Sequence, residues 1–321
     1  MLKRTLSMIG VALAVAAAMP ARAATKAPKD QLYIEVSALG NLDYFFDHKM
    51  GMEMVGKELG VKTEYVGPAE YDMNAMVAAF EQAIAKKPDG LVVVGFEPSL
   101  NSIVDKAVSQ GIPVVTVDAD LPGSKRMAFV GTGNFNAGMV GGTKLANLIG
   151  GKGKVAIMLK PGQSNLEERV AGYKAALAKF KDVQVVQLVD TQSDPGVAAQ
   201  AAAALLQKYP DLAGIACVEA AGGSGAATAV REAKKVGQVK IVAMDRGNEV
   251  LDGIKSGVIS ASVAQQTALM PYYAVQIMFN LNNSKVAITA DNRKAGVLGI
   301  PAVVDTGAIV IDASNYNLFK R

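Results

Sequence analysis

From residue 30 onward, short runs that are apolar throughout alternate with longer stretches whose apolar residues recur at helical spacing. "LYIEVSA" (32–38) precedes a helix predicted near 43–59. "TEYVG" (63–67) precedes residues 72–86, where Met73, Met76, Val77, Phe80 and Ile84 share one helical face. Pro88-Asp89-Gly90 reads as a turn. "LVVVG" (91–95), a helix over 98–110, the break Gly111-Ile112-Pro113 and "VVTVD" (114–118) follow. A second series runs through "KVAIML" (154–159), a helix near 165–180, "VQVVQLVD" (183–190), the Ala-rich helix around 198–206, "AGIACVE" (213–219), another helix and "KIVAMD" (240–245). Wholly apolar strands separated by helices predict parallel sheets covered on both faces. The series echo each other: "KKPDGLVVVGFEP" (86–98) matches "KYPDLAGIACVEA" (208–220), and "GIPVVTVDAD" (111–120) matches "GQVKIVAMDRG" (237–247). The fold class is therefore α/β, as two similar parallel-sheet domains; one long sheet is the alternative.

Each series tips an apolar strand with an acid, Asp118 in one and Asp245 in the other; Glu219 ends a further strand. In open parallel sheets, ligands sit beyond the carboxyl ends of the strands. Ionised carboxylates only accept hydrogen bonds, so the adjacent hydroxyls of a sugar or polyol are suitable donors. Tyr44, Phe45 and Phe46 stand side by side after the first strand, in a chain with no Trp and only 6% aromatics. They serve either core packing or an apolar wall for a ligand. Tyr44 and Phe45 fit the wall; Phe46 shares a helical face with Met50 and fits the core.

Composition narrows the function classes. The opening "MLKRTLSMIGVALAVAAAMPARA" has a basic start, an apolar stretch from Ile9 to Ala18 and an Ala-Arg-Ala end, the pattern of a cleavable secretory signal. Without residues 1–23 the balance is 30 Lys+Arg against 29 Asp+Glu, which lacks the positive excess that nucleic-acid binding needs. The single Cys217 has no partner for an internal disulfide and fits a buried small apolar position. His48, the one His, stands beside Asp47 and Lys49 and is expected to be solvated or half-buried, with a structural role. No nucleophile–base pairing and no His/Cys cluster is visible, and the acids lack EF-hand spacing. "GTGNFNAG" and "GGSGAA" match neither the dinucleotide fingerprint nor the P-loop. No enzyme, cofactor or metal is expected.

The ordered set of motifs resembles the periplasmic substrate-binding proteins of the ribose/galactose-binding type, which serve ABC importers of sugars. The resemblance rests on "DYFFDHKMGMEMVGKELG", "KPDGLVVVGFEPSLNSIVDKAVSQGIPVVTVDAD", "ERVAGYKAAL", "IVAMDRGNEVLDGIKSGVISASVAQ" and the tail "VDTGAIVIDASNY". It implies the type I architecture, with two lobes joined by a three-segment hinge around a ligand cleft. The expected lobes are residues 30–131 with 266–292 and residues 132–265 with 293–312, followed by a tail at 313–321. The expected hinges lie near 131–133, 264–267 and 290–297. As ligand contacts the resemblance implies Tyr44, Phe45, Asp118, Asn134, Gln163, Asn165, Arg169, Glu219, Asp245 and Gln265. This chain departs from the ribose pattern at Val94-Gly95, at Ala119-Asp120 and at Gln192-Ser193. "DADLPGSKR" (118–126) is more similar to members that bind other sugars, polyols or sugar-derived signals. The implied function is capture of a neutral sugar or polyol in the periplasm, as a monomer, for a membrane permease and its ATPase. Delivery to a chemoreceptor or sensor kinase is the alternative within the binding class. A secreted Rossmann-type enzyme is disfavoured by the missing fingerprint, and a repressor by a signal peptide where a helix-turn-helix would stand.

Overall fold

The computed structural model describes residues 26–292 and 294–320; the predicted export signal lies outside them. Two separate six-stranded sheets form, rather than one long one. The first holds β1 (Leu32–Val36), β2 (Lys62–Val66), β3 (Gly90–Val94), β4 (Val114–Val117), β5 (Ala128–Gly131) and β11 (Val303–Asp305), in the order β2-β1-β3-β4-β5-β11. The second holds β6 (Lys152–Leu159), β7 (Asp182–Asp190), β8 (Leu212–Cys217), β9 (Lys240–Met244), β10 (Ala261–Gln265) and β12 (Ala308–Asp312), in the order β7-β6-β8-β9-β10-β12. The two orders are the same pattern. All named pairings are parallel except β10 with β12.

β3 and β4 are buried from end to end, and β9 from Ile241 on, because helices cover both faces. In β3, Val92 and Val94 join one core, with Phe45, Val55 and Met270. Leu91 and Val93 point the other way and join Met76, Phe80 and Val104. The second sheet repeats this with Ile215 and Cys217 on one side and Ala216 and Val218 on the other. Cys217 is a buried free thiol, as the sequence predicts. The helices are α1 (Asp43–Leu59), α2 (Met73–Ala85), α3 (Asn101–Ser109), α4 (Asn134–Leu148), α5 (Ser164–Leu177), α6 (Pro195–Lys208), α7 (Ala220–Glu232), α8 (Asn248–Lys255) and α9 (Leu269–Asn282). Local chemistry sets several of their starts. Asp72 caps α2 through Ala75 N, and Asp194 caps α6 through Val197 N with Pro195 just inside.

The chain passes from the first sheet to α4 and the second sheet after Gly131. It returns after Gln265 to α9, which packs on β3, β4 and β5. The last passage falls at residues 306–307, between β11 and β12, rather than near 290–297. Residues 303–305 pair with β5, so they belong with the first sheet and not with the second, where 293–312 is assigned from sequence. The three-residue "VVD" is a mostly exposed edge strand, too short to carry a period that would announce it.

Candidate binding site

The first lobe supplies Tyr44 and Asp118. Asp118 follows β4 with a left-handed backbone, φ 64°, which turns its side chain out of the sheet. Tyr44, in the first turn of α1, donates its hydroxyl to Asp118 Oδ1 at 2.5 Å. Burial, then the charges of Asp118 and Asp245, push the Tyr44 hydroxyl well above its ordinary value, so it stays protonated and remains a donor. Phe45 is only 2% exposed and packs edge-on against Tyr44, with centroids 5.0 Å apart. It backs the wall from the core instead of presenting a face to a ligand. Phe46 reverses its expectation: it is 44% exposed. One residue along a helix is a turn of 100°, and the side facing the sheet is taken by Phe45, His48 and Met52.

The second lobe supplies a continuous polar chain. Arg169, 3% exposed, donates from Nε to Asn134 Oδ1 at 2.8 Å, from Nη1 to the Val218 carbonyl at 3.0 Å and from Nη2 to Gln265 Oε1 at 2.9 Å. Gln265 Nε2 in turn donates to Asp245 Oδ1 at 3.1 Å. Of the five guanidinium N–H groups two remain for a ligand. The glycines of α4 and α5 allow this approach: a methyl group on Gly138 would run into the Arg169 carbonyl, and one on Gly172 into the Phe135 carbonyl.

Asp245 mirrors Asp118, with φ 66°. Its carboxyl is pushed up to about 6, first by loss of water around it and then by Asp118 and Glu219; Arg169 and the Gln265 hydrogen bond hold it down. Some of its surface remains accessible, and its electrostatic neighbours come from both lobes, Asp118 from the first and Arg169 and Glu219 from the second. Tyr44 also feels the charges of Asp245 and Arg169, so the two sets of side chains lie within electrostatic reach of each other.

Three expected residues stand apart from this chain. Glu219 accepts from Thr191 Oγ1 at 2.6 Å and caps α7 through Ala221 N, so it is engaged in holding its own loop. Gln163 is exposed at the start of α5 and Asn165 is half-buried. Among the described residues neither hydrogen-bonds to the Arg169 group.

Several neighbours escaped the sequence. Phe96, just beyond β3, packs edge-on to Phe45 and to Tyr71, extending the aromatic wall; the strand-end rule applied to "VVVGFEP" points to it. His48 is fully buried, against the expectation, with Nδ1 2.6 Å from Glu35 Oε1 in β1. Burial alone would depress its pKa; the Glu35 charge and hydrogen bond outweigh that and raise it. Asp120 accepts both Nε and Nη2 of Arg126 and leaves the cleft to Asp118. Among the described residues no three His, Cys, Asp or Glu side chains gather as for a metal ion, and no helix is long and apolar enough to cross a membrane.

Comparison with known proteins agrees with this architecture. Residues 35–285 match the periplasmic binding protein domain, and the chain belongs to that family. It is 29% identical over 262 residues to the D-allose-binding periplasmic protein of Escherichia coli K12, covering 77% of this chain and 83% of that one. The solved structure of AraP, an arabinose-binding protein from Geobacillus stearothermophilus, superposes with a TM-score of 0.85 at 36% identity over 91% of this chain and all of the other. The XylFII–LytSN complex gives a TM-score of 0.72 at 28% identity, over 88% and 98% of the two chains. The protein is a sugar-binding periplasmic protein of the ABC-importer type; its relatives are sugar-binding transport proteins, not enzymes.

Proposed function

We propose that the chain captures a neutral sugar or polyol between its lobes by hinge closure and hands it to the permease and ATPase of an ABC importer. The observation that supports this reading is the Asn134–Arg169–Gln265–Asp245 chain in one lobe and the Tyr44–Asp118 pair in the other, with Tyr44 in electrostatic reach of Asp245 and Arg169. Carboxylates facing from two lobes accept from neighbouring hydroxyls, Arg169 donates to ring or hydroxyl oxygens, and the Tyr44 ring covers a C–H face. Among the described residues at the strand ends, Asp118, Asp245 and Glu219 outnumber the cation Arg169, so a sugar acid or phosphate would be repelled. The arabinose and allose specificities named for the relatives support a monosaccharide. Contacts from both lobes favour the closed state over the open one, a population shift. The moving bodies are the two sheets with their helices, residues 1–23 direct export, and the protein acts as a monomer. A second reading, delivery of the sugar to a sensor, is favoured by the likeness to XylFII, which is solved in complex with LytSN.

Thermal shift against D-allose, D-ribose, L- and D-arabinose, D-xylose and xylitol, with D-glucuronate and ribose 5-phosphate as anionic controls, tests the reading. Ligand at a thousand times its Kd stabilises by about 4 kcal/mol, so one neutral compound is expected to raise Tm by several degrees. No shift with any neutral compound, or a larger one with the anions, would overturn it. ATPase stimulation of the reconstituted permease by the loaded protein tests delivery.

A further inference from the structure

An ion pair on the flank of the site belongs to neither lobe alone. Arg246 follows Asp245 directly. Asp47 follows Tyr44 by three residues on α1. Each half of the pair is thus fixed to a cleft-facing side chain of its own lobe. Arg246 Nη2 donates to Asp47 Oδ2 at 2.5 Å. Arg246 Nη1 donates to the Phe319 carbonyl at 3.2 Å, and the turn that carries Phe319 packs on α8, so the guanidinium is steadied by its own lobe. Asp47 Oδ2 also accepts from Thr267 Oγ1 at 2.7 Å, in the crossover that leads to α9. The side chains are 23% and 7% exposed. At that burial a pair is not the loose surface kind, and removing one partner deprives the other of its opposite charge while Thr267 and the Phe319 carbonyl stay in place.

The equivalent place in the first lobe is spent differently. Two residues beyond Asp118, Asp120 is gripped by Arg126 of the same lobe. Among the described residues, the loop beyond Asp245 is tied to the other lobe through Arg246, whereas the loop beyond Asp118 is tied within its own. Separation of α1 from the 245–247 loop would stretch this pair, as it would stretch the distance between Tyr44 and Asp245.

We propose that Asp47 and Arg246 are positioning residues that clamp the closed cleft: their ion pair holds Tyr44 and Asp245 at their closed spacing and slows ligand release. The ligand half of this proposal rests on the carbohydrate reading above; the geometry does not.

The test uses the full chain with R246Q, D47N, the conservative R246K and the charge swap D47R/R246D. Donor and acceptor dyes go on K86C and K208C, exposed positions on α2's C-terminal end and on α6, one per lobe; Cys217 is buried and does not compete. Interlobe distance distributions are recorded without ligand and with L-arabinose and D-allose, and dissociation is followed by stopped flow. The clamp predicts that R246Q and D47N raise koff roughly tenfold or more while kon stays within about twofold. It also predicts a smaller closed fraction, with R246K and the swap recovering part of both. A merely structural pair would lower Tm and leave koff and the distances as in the wild type, and that result overturns the clamp. If neither sugar closes the wild type, the carbohydrate reading fails for those sugars, and the ligand-free distributions decide alone: no difference between wild type and R246Q overturns the clamp.

Discussion

Asp118 and Asp245 occupy the same place in two lobes. Each follows a buried parallel strand, each has a left-handed backbone, with φ 64° and 66°, and each donates its amide to the next strand, to the carbonyls of Val130 and Val263. Left-handed backbone suits Gly, Asn and Asp and costs other residues about 1–2 kcal/mol. Function and backbone therefore select the same residue type. Asn at Asp118 should preserve Tm while weakening sugar binding, and Asn at either position keeps the left-handed backbone unstrained. Relative to Asn, Ala should cost about 1 kcal/mol of stability, and either replacement should lose roughly 10- to 100-fold in affinity for a charged hydrogen bond. Calorimetry and thermal unfolding of the four variants separate the two effects.

Asp245 makes binding depend on pH. With its folded value near 6 and its ordinary value at 3.8, the folded chain holds a proton that the unfolded chain has already lost. Stability of the ligand-free protein is therefore expected to fall as pH rises from about 4 to 6, by up to roughly 2–3 kcal/mol from this group. D245N should remove that slope and raise Tm at pH 7 relative to wild type, though not at pH 4. Ligand hydroxyls favour the ionised carboxylate, so affinity should weaken below pH 6 and binding should release protons near pH 5.5, visible in different buffers by calorimetry. A flat profile would place Asp245 outside the binding chemistry.

The buried His48–Glu35 pair carries the opposite sign. A His pKa raised by folding contributes stability that is fully present below the ordinary value of 6.5 and is lost as pH climbs through the folded one. E35Q or H48Q alone should cost about 3–5 kcal/mol at neutral pH, because each leaves one buried group without its partner. The double replacement E35M/H48F should cost much less than the two together. Denaturant unfolding of this double-mutant cycle measures the coupling.

Gly138 and Gly172 set the separation of α4 and α5, and with it the 2.8 Å contact between Arg169 and Asn134. G138A and G172A should each cost about 1–3 kcal/mol through overpacking. They should also weaken sugar binding although neither position faces the cleft. Unchanged affinity would mean that Arg169 does not need Asn134 for its orientation.

The fold was legible where burial on two faces wrote itself into composition. "GLVVV" is apolar and buried throughout, and the echo of "KKPDGLVVVGFEP" in "KYPDLAGIACVEA" announced two lobes. The acids at strand ends stood out because an apolar strand rarely finishes on a charge without a reason. Arg169, Asn134 and Gln265 came from the family likeness alone; Arg169 meets partners 35 and 96 residues away in the chain, which no local period encodes. Helical phase misled at Phe46, since a face shared with Met50 does not tell inside from outside, and both are exposed. His48 looked solvated or half-buried because its neighbours Asp47 and Lys49 are charged, and Asp47 drew no reading of its own. Their partners, Glu35 and Arg246, are respectively 13 and 199 residues away.

The final passage at 306–307 has a consequence for biogenesis. Residues 303–305 complete the edge of the sheet that residues 32–36 begin, so the lobe started first is finished almost last. A chain emerging from its N-terminus can assemble β1 to β5 early, yet α9 and the closing edge strand arrive only after the whole second lobe has been made. Truncation near residue 300 should thus damage the N-terminal half of the molecule, while β6 to β10 would be complete and waiting.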